Sequence, residues 1–212
     1  TDLLTAVLPE FIPLIQPVAD ATDGIKGRII HHLIRTVEAI KPRIHLRWAA
    51  LLHDLGKATT IFFDERGVHF YGHEQAGTEQ AAKLLNRLAF PRNLQIRILD
   101  LIRWHMFPCD PRLSDAALRR LINRVGHHNI EDLLELRRAD IIATTSRFDQ
   151  AWHGFSLFSQ RVERILKDDK VFSLKDLALD GHDVMKITGA GPGPHVGQLL
   201  NKAFQWVLED PR

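Results

Sequence analysis

Residues 43–55 are apolar nearly all round: Ile44, Leu46, Trp48, Ala49, Ala50, Leu51, Leu52 and Leu55 leave no broad face for water. Such a stretch reads as a buried helix, ended by Gly56. The flanking segments carry the one-sided pattern of helices that cover a core. From Ile25 to Ile40, the positions Ile29, Ile30, Leu33, Ile34, Val37 and Ile40 keep a helical period that Pro42 stops. Further helices are predicted over 74–89, 92–106, 114–125, 129–146 and 150–168, with Ser114 and Asn129 as N-caps. The fold class expected is therefore all-α, a helical bundle.

Three stretches break this texture. Residues 1–24 form a lead-in interrupted by Pro9, Pro13 and Pro17, which suggests short turns. Residues 58–72 are turn-rich and could hold one short hairpin within Thr60–Phe70. Beyond Val171 a short helix near 173–179, a turn at Gly181 and the run Gly189–Pro194 lead into a final helix, 194–209. The domains expected are the lead-in 1–24, a main helical domain 25–170 and a small helical extension 171–212.

Composition narrows the function classes. A single cysteine, Cys109, allows no intrachain disulfide and suits a reducing, cytoplasmic setting. No apolar run approaches the length of a membrane span. The net charge of +2, from 28 basic and 26 acidic residues, offers no bulk attraction to nucleic acid. Arg119, Arg120 and Arg124, or Arg137 and Arg138, are local candidates for phosphate contact, and equally solvated helix faces. Trp104, Trp152 and Trp206 read as core at helical spacing, and the Gly189–Gly193 run as a turn. The unusual count is 12 histidines.

Some of those histidines fall where charge is hard to excuse. His53 and Asp54 close the buried helix, and an aspartate buried there needs compensation that a bound cation would supply. A capping aspartate beside a core histidine is the plain alternative. His105 lies centrally on the apolar face of helix 92–106, four residues after Leu101 and seven after Ile98. It is a ligand or a satisfied core histidine. Asp140 projects between Leu133 and Leu136, and the Arg137–Asp140 spacing permits a simple ion pair. His31 and His32 lie equally off the stripe of their helix, and periodicity does not choose between them. His73 stands just before a helix, as a loop-borne ligand or a cap. Histidines and acids on several facing helices are how a bundle builds an internal metal site, and nitrogen and oxygen donors without cysteine favour Mn, Mg, Ni, Fe or catalytic Zn.

The ordered set resembles a known superfamily. His32–Ala39, Ala49–Lys57 with its His53-Asp54 pair, Tyr71-Gly72-His73-Glu74 with Gly77, Ile102–His105 and Arg138–Asp140 are similar to the motifs of HD-domain metal-dependent phosphohydrolases. With Leu174–Leu179, Gly181–Met185, Gly193–Leu200 and Trp206–Pro211, the likeness spans roughly residues 28–211. It is closest to the HD and C-terminal region of bacterial tRNA nucleotidyltransferases and poly(A) polymerases. The resemblance implies His32, His53, Asp54 and Asp140 as divalent-metal ligands, with His32 preferred over His31. It implies His73 and His105 as ligands of a second metal or of the substrate phosphate, and Lys57 as a residue near that phosphate. Asp54 could also orient or deprotonate a metal-bound water, which makes Asp54 and Lys57 the catalytic candidates. The implied substrate is a nucleotide, a cyclic phosphate or an RNA end, with tRNA as a candidate partner. A non-catalytic tRNA- or RNA-binding module is the second implication. The Gly-Gly-Ser-type loop and spaced aspartates of a nucleotidyltransferase head are not found in this sequence, so nucleotide addition by this chain is not expected. It would be an excised part of a longer enzyme or a stand-alone relative.

Overall fold

The computed structural model describes residues 6–15, 23–144, 148–168 and 173–209. A 3-10 turn, Pro9–Phe11, precedes α1 (Ile12–Ile15), and then come α2 (Asp23–Ala39), α3 (Ile44–Leu52) and α4 (Lys57–Thr60). Next are β1 (Phe62–Asp64), β2 (Gly67–His69), α5 (His73–Arg87) and α6 (Arg92–Trp104). After these follow α7 (Asp115–Val125), α8 (His127–Ala143), α9 (Phe148–Asp168), a 3-10 turn at Leu174–Asp176, α10 (Gly181–Thr188) and α11 (Pro194–Glu209). The protein is an all-α bundle that carries, among the described residues, one antiparallel hairpin, in which Phe62 faces His69 and Phe63 faces Val68. The hairpin turn is closed by Asp64, whose Oδ1 accepts from the Arg66 amide at 2.8 Å.

Two compact units separate along the chain. Thr1–Pro108 with Glu131–Trp152 form the first, and Cys109–Ile130 with His153–Arg212 the second. In the first unit α3 packs on α2 and α6, and α5 lies on α6. Leu46, Ala49, Ala50 and Leu52 of α3 are fully buried, as its sequence demands, together with Leu33, Leu84 and Ile98 from the helices around it. Phe11 and Leu14 of the lead-in are buried as well.

The part of α8 in this unit is tied down by its acids. Asp132 Oδ2 accepts from Arg97 Nη2 at 2.5 Å and lies 2.9 Å from His45 Nε2. Glu135 accepts from the Lys41 amide at 3.0 Å and from both Nε and Nη2 of Arg138, and Arg138 Nη2 also donates to the Ala39 carbonyl. These bonds grip the α2–α3 turn and fix the position of Asp140 farther along the same helix. In sequence α8 has one apolar sector. In the structure it is enclosed nearly all round, because Asp132 and Glu135 bury on arginine, histidine and backbone donors.

The second unit is built around Leu118, Ile122, Phe158, Val162, Phe204 and Leu208. Ser114 caps α7, its hydroxyl accepting from the Ala117 amide. Asp115 pairs with Arg161 at 2.5 Å and Arg164 at 2.6 Å.

Several local expectations change. Asn129 is not an N-cap: α8 begins two residues earlier, and the Asn129 amide group is buried against the Val125 carbonyl. The expected helix near 173–179 is only a 3-10 turn. Gly181 starts α10 instead of making a turn, because Asp180 caps that helix through the amides of His182 and Asp183. Trp206 is 74% exposed, since Phe204 and Leu208 take the inward face of α11 and a residue two positions along points away. Positions 145 and 146 of the expected helix 129–146 lie outside the described residues.

Candidate metal centre

The last turn of α3 opens at His53, and two tight turns carry the chain through Asp54 to α4. Gly56 stands against the start of α5: a Cβ there would meet the His73 carbonyl at 2.2 Å and the Gly77 amide at 2.5 Å. The backbone φ of Gly56 is an ordinary −62°. Its requirement is closeness, not the helix-ending conformation. That contact, with Gly72 at φ +72° turning the chain into α5, brings His73 over the His53-Asp54 pair.

The six histidines and aspartates of the sequence pattern meet here, all within the first unit. His32 Nε2 lies 3.3 Å from His53 Nε2, 3.2 Å from Asp140 Oδ1 and 3.7 Å from Asp54 Oδ2. His73 Nε2 lies 3.2 Å from His105 Nε2, and these two stand 3.4 and 3.6 Å from Asp54 Oδ1. Asp54 therefore divides its oxygens between two groups. Oδ2 faces His32 and His53, Oδ1 faces His73 and His105. Each group could hold one ion. His31 is exposed and takes no part.

Hydrogen bonding settles the protons on three of the rings. Nδ1 of His53 donates to the Ala50 carbonyl at 2.9 Å, that of His73 to Phe70 at 2.8 Å and that of His105 to Ile102 at 2.6 Å. A carbonyl only accepts, so each Nδ1 carries a proton and each Nε2 offers a lone pair unless a second proton is added. In the His73–His105 pair two such nitrogens face each other beside a carboxylate oxygen. Lone pairs at that distance repel unless a positive charge, a proton or a metal ion, sits among them. Two ligand atoms about 2.1 Å from a common ion and roughly at right angles or tetrahedral would be about 3.0–3.4 Å apart. The imidazole pairs match that spacing, and a neutral imidazole whose other nitrogen donates to a carbonyl is the usual form of a metal-binding histidine. The donor set fits a divalent metal.

Electrostatics agree. Burial pushes His53 down to about 4, against the pull of Asp54, so this ring does not hold the extra proton at neutral pH. Burial would raise Asp54, but the surrounding imidazoles, His53 first, and the Lys57 ammonium hold it well below the usual carboxylate range. Asp140 is likewise held near 2: the His32 contact and the charges of His53 and Arg137 outweigh burial. Both acids are ionised at neutral pH.

Two cations balance them. Lys57 Nζ donates to Asp54 Oδ2 at 2.6 Å and sits 5.5 Å from the Phe70 ring centre. Arg137 Nη1 donates to Asp140 Oδ2 at 2.7 Å. The ion pair foreseen as the plain alternative for Asp140 is present, but it uses only one oxygen and leaves Oδ1 to His32. Arg137 itself lines neither of the hollows beside the centre. A cleft of about 310 Å³ opens on the cluster, with Ile25, Ile29, Val68 and Phe70 as its apolar lining. His32, Asp54, Lys57 and Asp140 are among its polar lining. The hairpin's contribution, Val68 and Phe70, had no sequence signal beyond hydrophobicity. Neither had the His45–Asp132–Arg97 cluster, whose members are far apart in the chain.

Residues 28–145 match the HD domain family. The chain belongs to that family. This HD domain is also 34% identical, over 98% of its length, to the CC-adding tRNA nucleotidyltransferase of Thermus thermophilus. It is 35% identical over 73% of its length to the A-adding tRNA nucleotidyltransferase of Deinococcus radiodurans, and 28% over 71% to the multifunctional CCA protein of Haemophilus influenzae. The chain covers 46%, 36% and 34% of those proteins, at most about half of each. The kinship with tRNA nucleotidyltransferases read from the motifs is thus found in whole-chain comparison. Among the described residues no helix is long and apolar enough to cross a membrane.

Proposed function

We propose that this HD domain is a divalent-metal-dependent phosphohydrolase acting on a nucleotide, a cyclic phosphate or an RNA end, tRNA among them. The observation that carries this reading is the pair of lone-pair clusters sharing Asp54. His32, His53, Asp54 and Asp140 would hold one ion, here Mn, Mg, Ni, Fe or Zn. His73 and His105, with the other oxygen of Asp54, would hold a second ion or a substrate phosphate. When bound, a divalent ion supplies a water of lowered pKa and neutralises charge on phosphoryl oxygens.

The chain's own residues do the rest. The Ala50, Phe70 and Ile102 carbonyls keep three imidazoles in the ligand tautomer. Lys57 offsets the charge of Asp54 and presents its ammonium to the cleft, where a phosphoryl oxygen would meet it. Asp54, with one oxygen on Lys57 and the other toward His73 and His105, is better placed to orient the attacking water than to remove its proton. Arg137, engaged with Asp140, acts as a positioning residue. We take residues 25–170 as the extent of the HD domain and 171–212 as its extension.

A second reading is a non-catalytic tRNA- or RNA-binding module. What favours it is the breadth of the likeness: 98% of the chain, and so both units, aligns with a tRNA nucleotidyltransferase, whereas the metal cluster occupies one unit. Metal analysis of the purified chain, then hydrolysis of bis-p-nitrophenyl phosphate and 2′,3′-cyclic nucleotides, separates the two. The hydrolase reading expects turnover that Asp54→Ala abolishes. It fails if metal-loaded protein shows no turnover sensitive to that substitution. Tight, salt-dependent tRNA binding that survives Asp54→Ala, with no turnover, selects the module.

A further inference from the structure

Beside the cleft lies a second hollow, of about 570 Å³, in the same unit. The two share Arg28, His32 and Thr144, so they adjoin at the edge of the metal centre. His31 and Arg35 also line the second hollow, and among the described residues no acidic one does. Arg28, His31 and Arg35 follow one face of α2 at spacings of three and four. His32, between them, turns its Nε2 into the centre. Seven residues of helix separate the two guanidinium-bearing positions by about 10 Å along the axis.

Other arginines of the unit are spent on carboxylates in its packing. Arg87 holds Glu10, Arg97 holds Asp132, Arg137 holds Asp140 and Arg138 holds Glu135. Arg28 and Arg35 have no carboxylate among the described residues. Guanidinium groups with no carboxylate beside them among the described residues suit a phosphate, which they can meet with two parallel hydrogen bonds. On the hydrolase reading, a mononucleotide would spend its one phosphate on the histidine–aspartate cluster and its base on the apolar lining of the cleft. The hollow beyond would then stay empty.

Resting on the hydrolase reading, we propose that the Arg28–Arg35 hollow seats the phosphodiester next to the reacting phosphate, so that the substrate is the 3′ end of an oligonucleotide rather than a mononucleotide. Recognition is by backbone charge, and the seat demands no particular base.

The test is binding by the metal-loaded full chain, read in the first seconds after mixing, before turnover. A 5′-fluorescein trinucleotide 3′-phosphate is the probe, and a nucleoside 3′-monophosphate and a nucleoside diphosphate are competitors. The trinucleotide should bind at least tenfold more tightly than either. Arg28→Ala and Arg35→Ala should each close most of that gap, and the log–log salt slope should fall by about 0.7, the value for one single-strand phosphate contact. Lysine at either position should restore part of the preference. Equal affinity for trinucleotide and monophosphate, a diphosphate that competes as well as the trinucleotide, or arginine variants that bind like the wild type would each overturn the seat. A metal-loaded chain that keeps the arginine-dependent preference but hydrolyses no phosphoester ends the hydrolase reading and leaves the seat standing.

Discussion

Two buried acid–histidine clusters sit within the first unit, and their chemistry is opposite. Around Asp132 every facing group is a donor or a cation: Arg97, Arg43 and the His45 ring. Glu135 beside it is satisfied by Arg138 and the Lys41 amide. Around Asp54 the cation Lys57 takes one oxygen, but imidazole nitrogens with lone pairs converge on the rest. The first cluster is complete without a ligand and clamps α8 to the α2–α3 turn. The second keeps facing lone pairs that an added positive charge would satisfy. Burial of an acid beside a histidine does not distinguish a structural clamp from a binding centre. The direction of the opposing protons does.

The strongest way to break this contrast is Asp54→Ala. Hydrolysis should fall on the order of a thousandfold, as for loss of a principal charge-stabilising group. The rise in melting temperature on adding Mn should also vanish, where wild type gains about 2.7 kcal/mol at a hundredfold excess over Kd. A wild-type protein unmoved by any divalent ion would erase the distinction between the clusters. The opposite substitution, Asp132→Ala, should cost about 2–3 kcal/mol of stability by stripping donors of a charged partner, measurable in urea. Its metal affinity, per folded molecule, should not change.

Acid should reach the metal-free centre in a defined window. His53 is held near 4 when folded against 6.5 as a free group, so the unfolded chain takes up the proton first. Stability is full above pH 6.5 and declines as pH falls toward 4, by about 3 kcal/mol from this residue. His45, also lowered by burial, works in the same direction. Asp140, near 2 when folded, adds a loss that begins below about pH 4. Urea titrations between pH 7 and 4 check this, and a flat profile would contradict the burial of a neutral His53. Smaller in stability, at about 1–3 kcal/mol, is Gly56→Ala, where the new methyl has to push α5 away. It should weaken metal binding through His73 while leaving the His45–Asp132 bond intact, a difference that histidine NMR would resolve.

Much of this was legible along the chain. The periodicities of α2, α6 and α7 and the apolar run of α3 located the helices, and Ser114 marked its cap correctly. Asn129 has the residue type of a cap but does not serve as one, because tertiary burial decides its place. The six residues that meet in the cluster were legible only through the resemblance carried by the ordered H…HD…H…H…D motifs, since helical period does not choose His32 over His31. Asp132, Glu135 and His45 were not, because partners tens of residues apart leave no periodic trace. Arg28 and Arg35 were equally silent, for a free surface arginine and a phosphate seat read alike in sequence.

The twelve histidines, the buried helix and the spacing of Asp54 and Asp140 were set by the sequence itself: which groups are present, and which helices carry them. Tertiary packing alone decided which nitrogen faces which. It put His32 rather than His31 in the centre and gave the two oxygens of Asp140 to different partners. It also pressed Gly56 onto α5, so that one carboxylate serves two histidine pairs. Helical period fixes the direction of a side chain about its own axis. It carries no information about the atom standing opposite on another helix, and the chemistry of this centre lies between helices.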